Sequence, residues 1–359
     1  MLKFLKNIYT ILLKFIKPNV WVLDCQTKSA KKSLRILYIG TQREKDYFTK
    51  TTLKYNYSEK HIGKSFFWSL YYIVDNNKYN ASLIVIEGTF LERYLYKSMK
   101  DFFVPFWTYT VTDLPLKVTN QSAKSDMRKV QKNKLEYIVT NDSKMIDNFY
   151  YNMHKPMIQT RHGDGAYDFL YDEVKETMGR KHNELLLIKK DDTFISGVLM
   201  KGSSEIPELW KNGIADLKYW DNGAISAIYI FASEYLAKKG CEKISFGLVR
   251  SFLNDGLLLY KKKWNTALSV SGKRGFIFKP CIVSPEIEDF FINNPFIYMK
   301  KNKLFGAVFI NTNKDYLQED YQKLKKQHYV KGMSDVNIFS IDKRDKSVNF
   351  IECVKKVSV

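Results

Sequence analysis

The chain has 359 residues, 45% of them apolar, enough for two ordinary domains with real cores. Gly and Pro are scarce and no Ser/Gly or Pro tract occurs, which argues against extensive disorder. The formal net charge of +20 is spread along the whole chain and favours anionic partners: phospholipid head groups, nucleic acid, nucleotide-linked metabolites or envelope polymers. A genome biased towards Lys, Asn, Ile and Tyr would give the same balance. Cys25, Cys241, Cys281 and Cys353 form no CxxC pair, and the five histidines show no HxxxH spacing. The pattern disfavours a zinc site, a disulfide framework and a metal enzyme, and fits a reducing cytosol.

In chain order, "MLKFLKNIYTILLKFIKP" is the clearest periodic segment. Lys3, Lys6, Asn7, Thr10, Lys14 and Lys17 share one helical face, apolar residues fill the other, and Pro18 stops the helix. It is too short and too interrupted by lysine to span a bilayer, and no small-residue cleavage site follows. Two placements remain open: an anionic membrane interface met by residues 2–17, or packing of the apolar face on the protein's own body.

After a polar linker, "SLRILYIG" predicts a buried strand closed by Gly40, a helical stretch follows around residues 61–74, and "ASLIVIEG" and "FFVPFWTYTVTDLP" predict two more strands. Strands alternating with helical runs indicate an α/β domain. Neither GxxxxGK[ST] nor GxGxxG follows any of these strands, which removes support for nucleotide hydrolysis and dinucleotide binding. A second unit opens with a helix over "SAKSDMRKVQK", capped by Ser122 or Ser125, and the strand "LEYIVT". An amphipathic helix with Met145, Phe149 and Met153 follows, then a helix ending at Gly179 and a meander of "ELLLIKK", "TFISGVLMKG" and "ELWKNGIA". "AISAIYIFASEYLAKKG" predicts a helix with Ile225, Ile228, Phe231, Ala232 and Tyr235 as its buried stripe and Gly240 as its stop. The strand "CEKISFG" comes next, and residues 300–359 predict a strand–helix–strand–strand unit.

Taken in order, residues 122–265 resemble acyltransferases of the Fem/CelD-like branch of the GNAT superfamily. Four pieces carry the resemblance: the basic helix "SDMRKVQK", the helix-to-turn "YYNMHKPMIQTRHG", "ELWKNGIA" with the following helix, and "ISFGLVRSFLNDGLLLYKKKW". The last is similar to the family's strand–Gly–loop–DG–aromatic–Lys–xx–aromatic signature. The family's pyrophosphate loop [QR]xxGx[GA] is missing, with "YWDNGAISAIY" in its place, the helical hairpin of many Fem ligases is absent, and Asn265 stands where many relatives have glycine.

The resemblance implies an α/β (α+β) fold of tandem GNAT-like domains with mixed, largely antiparallel sheets flanked by helices, preceded by the amphipathic helix. Residues 1–30 would be that helix and a linker, 31–120 a degenerate first half, 121–290 the acyltransferase domain and 291–359 an extension. The implied activity is N-acyl transfer to an amine on an envelope glycan precursor or amino sugar, at the cytoplasmic face of the membrane. No cofactor is tightly bound; acyl-CoA or aminoacyl-tRNA is the co-substrate, and a small or lipid-linked sugar and tRNA are the implied partners. The rivals are a non-catalytic module that binds an envelope precursor and an aminoacyltransferase acting on phospholipid head groups.

Acyl transfer passes through a tetrahedral oxyanion, which a fixed donor stabilises by about 3–4 kcal/mol. The resemblance gives that role to Lys261. Helical spacing from Gly256 puts Leu257, Tyr260, Lys261 and Trp264 near one face and turns Lys262 and Lys263 elsewhere as surface charges; alternatively, all three lysines answer the helix dipole. Arg128 and Lys132, four apart, either clamp a phosphate-bearing substrate or form a solvated face. Arg161 and His162 are placed in a turn after a helix, where His162 has the pKa range of a general base. Arg250 is a further anion contact.

Overall fold

The computed structural model describes residues 17–26, 33–53, 56–89, 102–162, 171–202, 206–311, 315–342 and 349–353. The fold is mixed α/β, with largely antiparallel sheets flanked by helices, the class expected from the sequence. The chain forms two compact units. Unit 1 comprises Met1–Thr108, Arg250–Leu258 and Val270–Val359, and unit 2 comprises Tyr109–Val249 and Leu259–Ser269. The polypeptide passes from one to the other at four points, within strand β5 (Phe102–Asp113), at the end of the strand Lys243–Arg250, within the helix Gly256–Lys262 and within strand β11 (Ala267–Pro280).

In unit 1, β1 (Asn19–Cys25) lies between β2 (Leu34–Gly40) and the edge strand β3 (Tyr57–Lys64), antiparallel to both. β2 runs parallel to β4 (Leu83–Thr89), which pairs antiparallel with β11. Alternation explains why these runs read as continuously apolar. Leu23, Ile36 and Tyr38 enter one core cluster with Phe48 of α1 (Gln42–Thr52), while Val20, Val22, Leu37 and Ile39 enter another with Leu70, Ile73 and Val74 of α2 (Phe67–Asp75). The helix expected around 61–74 is thus strand up to Lys64 and helix only from Phe67. Residues 19–25, expected within a linker, are a buried strand, and the rest of the predicted N-terminal helix before Lys17 lies outside the described residues. The tail belongs to unit 1 as well: β12 (Phe296–Lys300), β13 (Lys303–Phe309), β14 (Val336–Asp342) and β15 (Asn349–Glu352) form a second sheet.

Unit 2 carries the expected meander. β6 (Glu136–Thr140), β7 (Glu184–Lys190), β8 (Thr193–Lys201) and β9 (Glu208–Ile214) are successive antiparallel neighbours. β10 (Lys243–Arg250) then joins β9 in parallel through the single register pair Ser245 with Glu208. Leu186, Ile188 and Val198 turn to the face covered by α3 (Gln121–Lys132), and Leu185, Leu187 and Leu199 turn to the other. That second face is packed by α4 (Ser143–Phe149) and its π-helical continuation Tyr150–His154. Asn120 caps α3 by accepting from Ser122 N at 2.8 Å, so the cap lies ahead of the two serines expected from the sequence.

Helices α5 (Lys155–His162) and α6 (Tyr171–Met178) precede α7 (Ala224–Lys238), whose buried stripe is rotated from the expected one. Ala224, Ala227, Ile228, Ala232 and Leu236 are buried, while Ile225, Phe231 and Tyr235 flank them. Small alanines let the helix axis sit close to the sheet, which moves the large side chains to the sides. All four cysteines are free thiols, and burial pushes Cys25 up to about 12.

Candidate active site

The site grows from the end of β10. Ile244 and Phe246 are buried in the unit 2 core, and Gly247 then takes φ +76°, a left-handed conformation that a side chain would strain. Its carbonyl accepts from the buried Thr110 hydroxyl, which fixes the kink. Leu248, beyond it, turns to solvent and presents its carbonyl to Lys261 Nζ at 3.1 Å.

Lys261 belongs to helix α8 (Gly256–Lys262), whose start is capped by Asp255: its Oδ1 accepts from Leu258 N at 2.9 Å. The "DG" of the sequence signature is therefore a helix cap followed by the first helical residue. Lys261 is only 3% exposed. A lysine stem that deep is held there by its neighbours. Trp264 is fully buried and stacks 6.1 Å from Tyr229 at an interplanar angle of 6°. Ser226 Oγ donates to Asp126 Oδ2 at 2.8 Å, so its one hydrogen is committed and Tyr260 O–H donates to Ser226 at 3.0 Å. Burial pushes the Tyr260 phenol well up, which keeps it a donor. Asp126 also pairs with Lys263, whose ammonium stands 3.8 Å from the Tyr260 ring centroid. Clamped by Tyr260 and Trp264, the helix has one register, and in it Lys261 turns inward.

This corrects the expectation for the neighbouring lysines. Lys263 is an internal ion-pair partner of Asp126, not a surface charge, and Lys262 is half-buried, with its pKa lowered by desolvation. Leu257, expected on the inner face, is 46% exposed, and Leu258, three residues before Lys261, takes the buried position instead, at 1%. Asn265 has φ +59°, which explains its place where relatives carry glycine: asparagine is among the side chains that tolerate this region best.

Sequence reasoning missed the groups on the other side of Gly247. A Cβ built at position 247 would lie 3.6 Å from Glu208 Oε1 and 3.9 Å from Lys261 Nζ, so a carboxylate and an ammonium flank one point of backbone. Glu208 opens β9, is the cross-strand partner of Lys201, and hydrogen-bonds the Tyr109 hydroxyl. Burial, then the Glu208 charge, pushes the Tyr109 phenol up, whereas burial pulls Lys201 down and Glu208 opposes it in part. The Lys201 ammonium lies 4.0 Å from the Trp210 ring centroid. Residues 109, 201, 208, 247 and 261 come from four strands and one helix, so only strand register could have revealed the cluster.

The remaining predicted residues have surroundings of their own. Arg128 and Lys132 are exposed on α3. Arg161 and His162 end α5 rather than forming a turn after it, and their side chains lie outside the described residues. Arg250, in unit 1, is paired with Glu44 at 2.8 Å, with its guanidinium 3.6 Å from the Tyr47 and 3.7 Å from the Trp107 ring centroids. The loop before α7, at the position of the family's pyrophosphate loop, is tied to α3. Asn222 donates to Asn133 Oδ1 at 3.0 Å, and Gly223 packs on Lys129 and Val130. Among the described residues no cluster of His, Cys, Asp and Glu suits a metal ion, and no helix is long and apolar enough to cross a membrane.

No family model and no curated protein matches the chain. Among solved structures it is similar to L-PGS from Bacillus licheniformis, with 10% identity and a TM-score of 0.38 over 72% of this chain and 80% of that one. It is also similar to FemX, with 13% identity and a TM-score of 0.37 over 72% of this chain and 83% of the other. A third is a GCN5-related N-acetyltransferase from Anabaena variabilis, with 10% identity and a TM-score of 0.32 over 94% of this chain and 72% of that one. Likenesses this distant carry no chemistry.

Proposed function

We propose that the protein is an N-acyltransferase that moves an acyl or aminoacyl group from acyl-CoA or aminoacyl-tRNA to an amine on a cell-envelope glycan precursor or amino sugar. The observation that carries this reading is the buried Lys261 ammonium near the left-handed Gly247, with the Glu208 carboxylate 3.6 Å from the position a Cβ there would take.

The amine nitrogen attacks the carbonyl carbon of the donor, and the carbonyl π electrons move to oxygen. Lys261 holds that oxyanion by a charge-assisted hydrogen bond, in a position where burial makes the interaction stronger than in water. The tetrahedral centre then collapses, the bond to the thiol or ribose oxygen breaks, and the leaving group takes a proton. Glu208, which the geometry brings near Gly247, accepts the proton of the attacking amine, and His162 is the alternative base that the sequence offers.

The test uses purified protein with radiolabelled acetyl-CoA or charged tRNA, offered sugar nucleotides and extracted lipids as acceptors. Turnover by the wild type and a roughly 10²–10³-fold lower kcat for Lys261→Met, with unchanged circular dichroism, is the expected result. Full activity in Lys261→Met, or consumption of neither donor by the wild type with any acceptor, overturns the proposal.

A further inference from the structure

A second feature lies in unit 1, on the face covered by α2. The edge strand β3 splits its side chains between two environments. Glu59 and His61 turn towards α1, where Glu59 pairs with Lys45 and the His61 ring lies 5.2 Å from Trp21 at an interplanar angle of 36°. Lys60 and Gly63 pair with Val22 and Val20 and so share the α2 side, with Ile62 at the bulge between them. Between β3 and α2 is a cavity of about 550 Å³, with Val20 and the buried Ile73 among its walls and Lys64, Ser65, Ser69 and Lys78 as its polar lining. Ile62 and Tyr72 line it and are exposed, the latter 62% accessible, and their chain neighbours Phe66 and Tyr71 are exposed as well. α2 explains the rim, because Leu70, Ile73 and Val74 use up the inward stripe and leave two adjacent tyrosines outside.

The chain enters the described structure at this rim. Lys17 Nζ stands 3.7 Å from the Phe66 ring centroid, and Ser65 N donates to Pro18 O at 3.1 Å. The basic amphipathic run of residues 2–17 therefore leads directly into a patch that combines lysines, exposed aromatic rings and a polar hollow. Aromatic rings with a polar tip favour the zone between head groups and acyl chains, and lysines beside them meet the negative potential of anionic lipid.

We infer that this face docks unit 1 on an anionic phospholipid surface. A head-group phosphate enters the cavity between Lys64 and Lys78, and Phe66, Tyr71 and Tyr72 lie in the interfacial zone. The inference goes beyond acyl transfer and does not depend on it, since its readout is binding rather than turnover.

Flotation of the full-length chain with phosphatidylcholine vesicles, with and without phosphatidylglycerol, tests it. The wild type should float only with the anionic vesicles. The double variant Lys64→Glu/Lys78→Glu should bind them roughly tenfold more weakly or worse, because each surface lysine contributes about fivefold. Tyr71→Ser/Tyr72→Ser should lose several-fold, a loss that persists in high salt where the charge contribution is screened. All four positions are exposed or rim the cavity, and unchanged melting of the variants confirms that they fold. Wild-type binding by both double variants would overturn the inference and leave residues 2–17 as the whole anchor. Equal binding of the wild type to neutral vesicles, or none to either, would overturn it too.

Discussion

Arg250 and Lys261 are two cations withdrawn from water eleven positions apart in sequence, one in each unit, and their surroundings differ in kind. Arg250 has a carboxylate, Glu44, at 2.8 Å and an aromatic ring on either side of its guanidinium plane. A rigid, planar, permanently charged group fits such a slot and is locked by it. Lys261 donates to the Leu248 carbonyl of β10, beside a kinked glycine, with Glu208 within 4 Å of the position a Cβ on that glycine would take. A compact ammonium on a flexible stem can redirect its hydrogens when a new negative charge forms nearby. Burial alone therefore does not separate a structural cation from a chemical one; the partner does.

Removing each charge in turn and measuring stability should expose the widest gap between the two. Arg250→Met removes one of the two guanidinium partners of the buried Glu44, which keeps Arg43 at 2.7 Å, and should cost about 1.5–3 kcal/mol in urea unfolding. Lys261→Met keeps the aliphatic stem and should stay within about 1 kcal/mol of the wild type, since isosteric hydrophobic replacement of a buried charge is often neutral. Equal losses would make Lys261 a structural cation and dissolve the distinction.

A smaller effect is expected at Asp126, through which Lys261 is aimed. Asp126→Ala removes the acceptor of both Ser226 and Lys263. The pair is part-buried, so a loss of about 1–2 kcal/mol is expected. Because Tyr260 and Lys261 share α8, kcat should fall while the donor KM stays within about twofold, the split expected of a positioning residue. Asp126→Asn, which still accepts from Ser226, should recover part of the rate. A fall in stability with no change in kcat would confine the network to folding.

Much of the frame was legible because one physical signal dominated it. β2, β4 and the meander announce themselves as apolar runs bounded by Gly or charge, and Gly240, with φ +84°, ends α7 as its sequence position suggests. β3, "YSEKHIGK", escaped because an edge strand open to water carries no apolar alternation to detect. The inward turn of Lys261 was expected from the sequence and is observed, while the place of Glu208 near Gly247 was not expected. Its significance depends on the pairing of Lys201 with Glu208 and of Glu208 with Ser245, which no local pattern encodes. Lys263 was misjudged for the same reason: its partner Asp126 is more than a hundred residues away.

The smallest expected effect concerns a buried carboxylate that offers a third environment. Glu87 Oε1 accepts from Thr41 N at 2.6 Å, from Thr41 Oγ1 at 2.9 Å and from Tyr38 O–H at 2.8 Å, with Arg274 at 3.4 Å from Oε2. Desolvation nevertheless prevails and raises its pKa above 4.5, with those donors opposing. Between 4.5 and the raised value the folded state holds more protons at Glu87 than the unfolded chain, so this group makes stability fall as pH rises through that window. Glu87→Gln keeps a carbonyl oxygen for the same three donors and removes the titration. Its melting temperature should therefore shift in its favour, relative to the wild type, as pH is raised from about 4.5 towards neutrality. The opposite drift would mean that Arg274 and the donors outweigh burial, making Glu87 a paired charge of the same kind as Glu44.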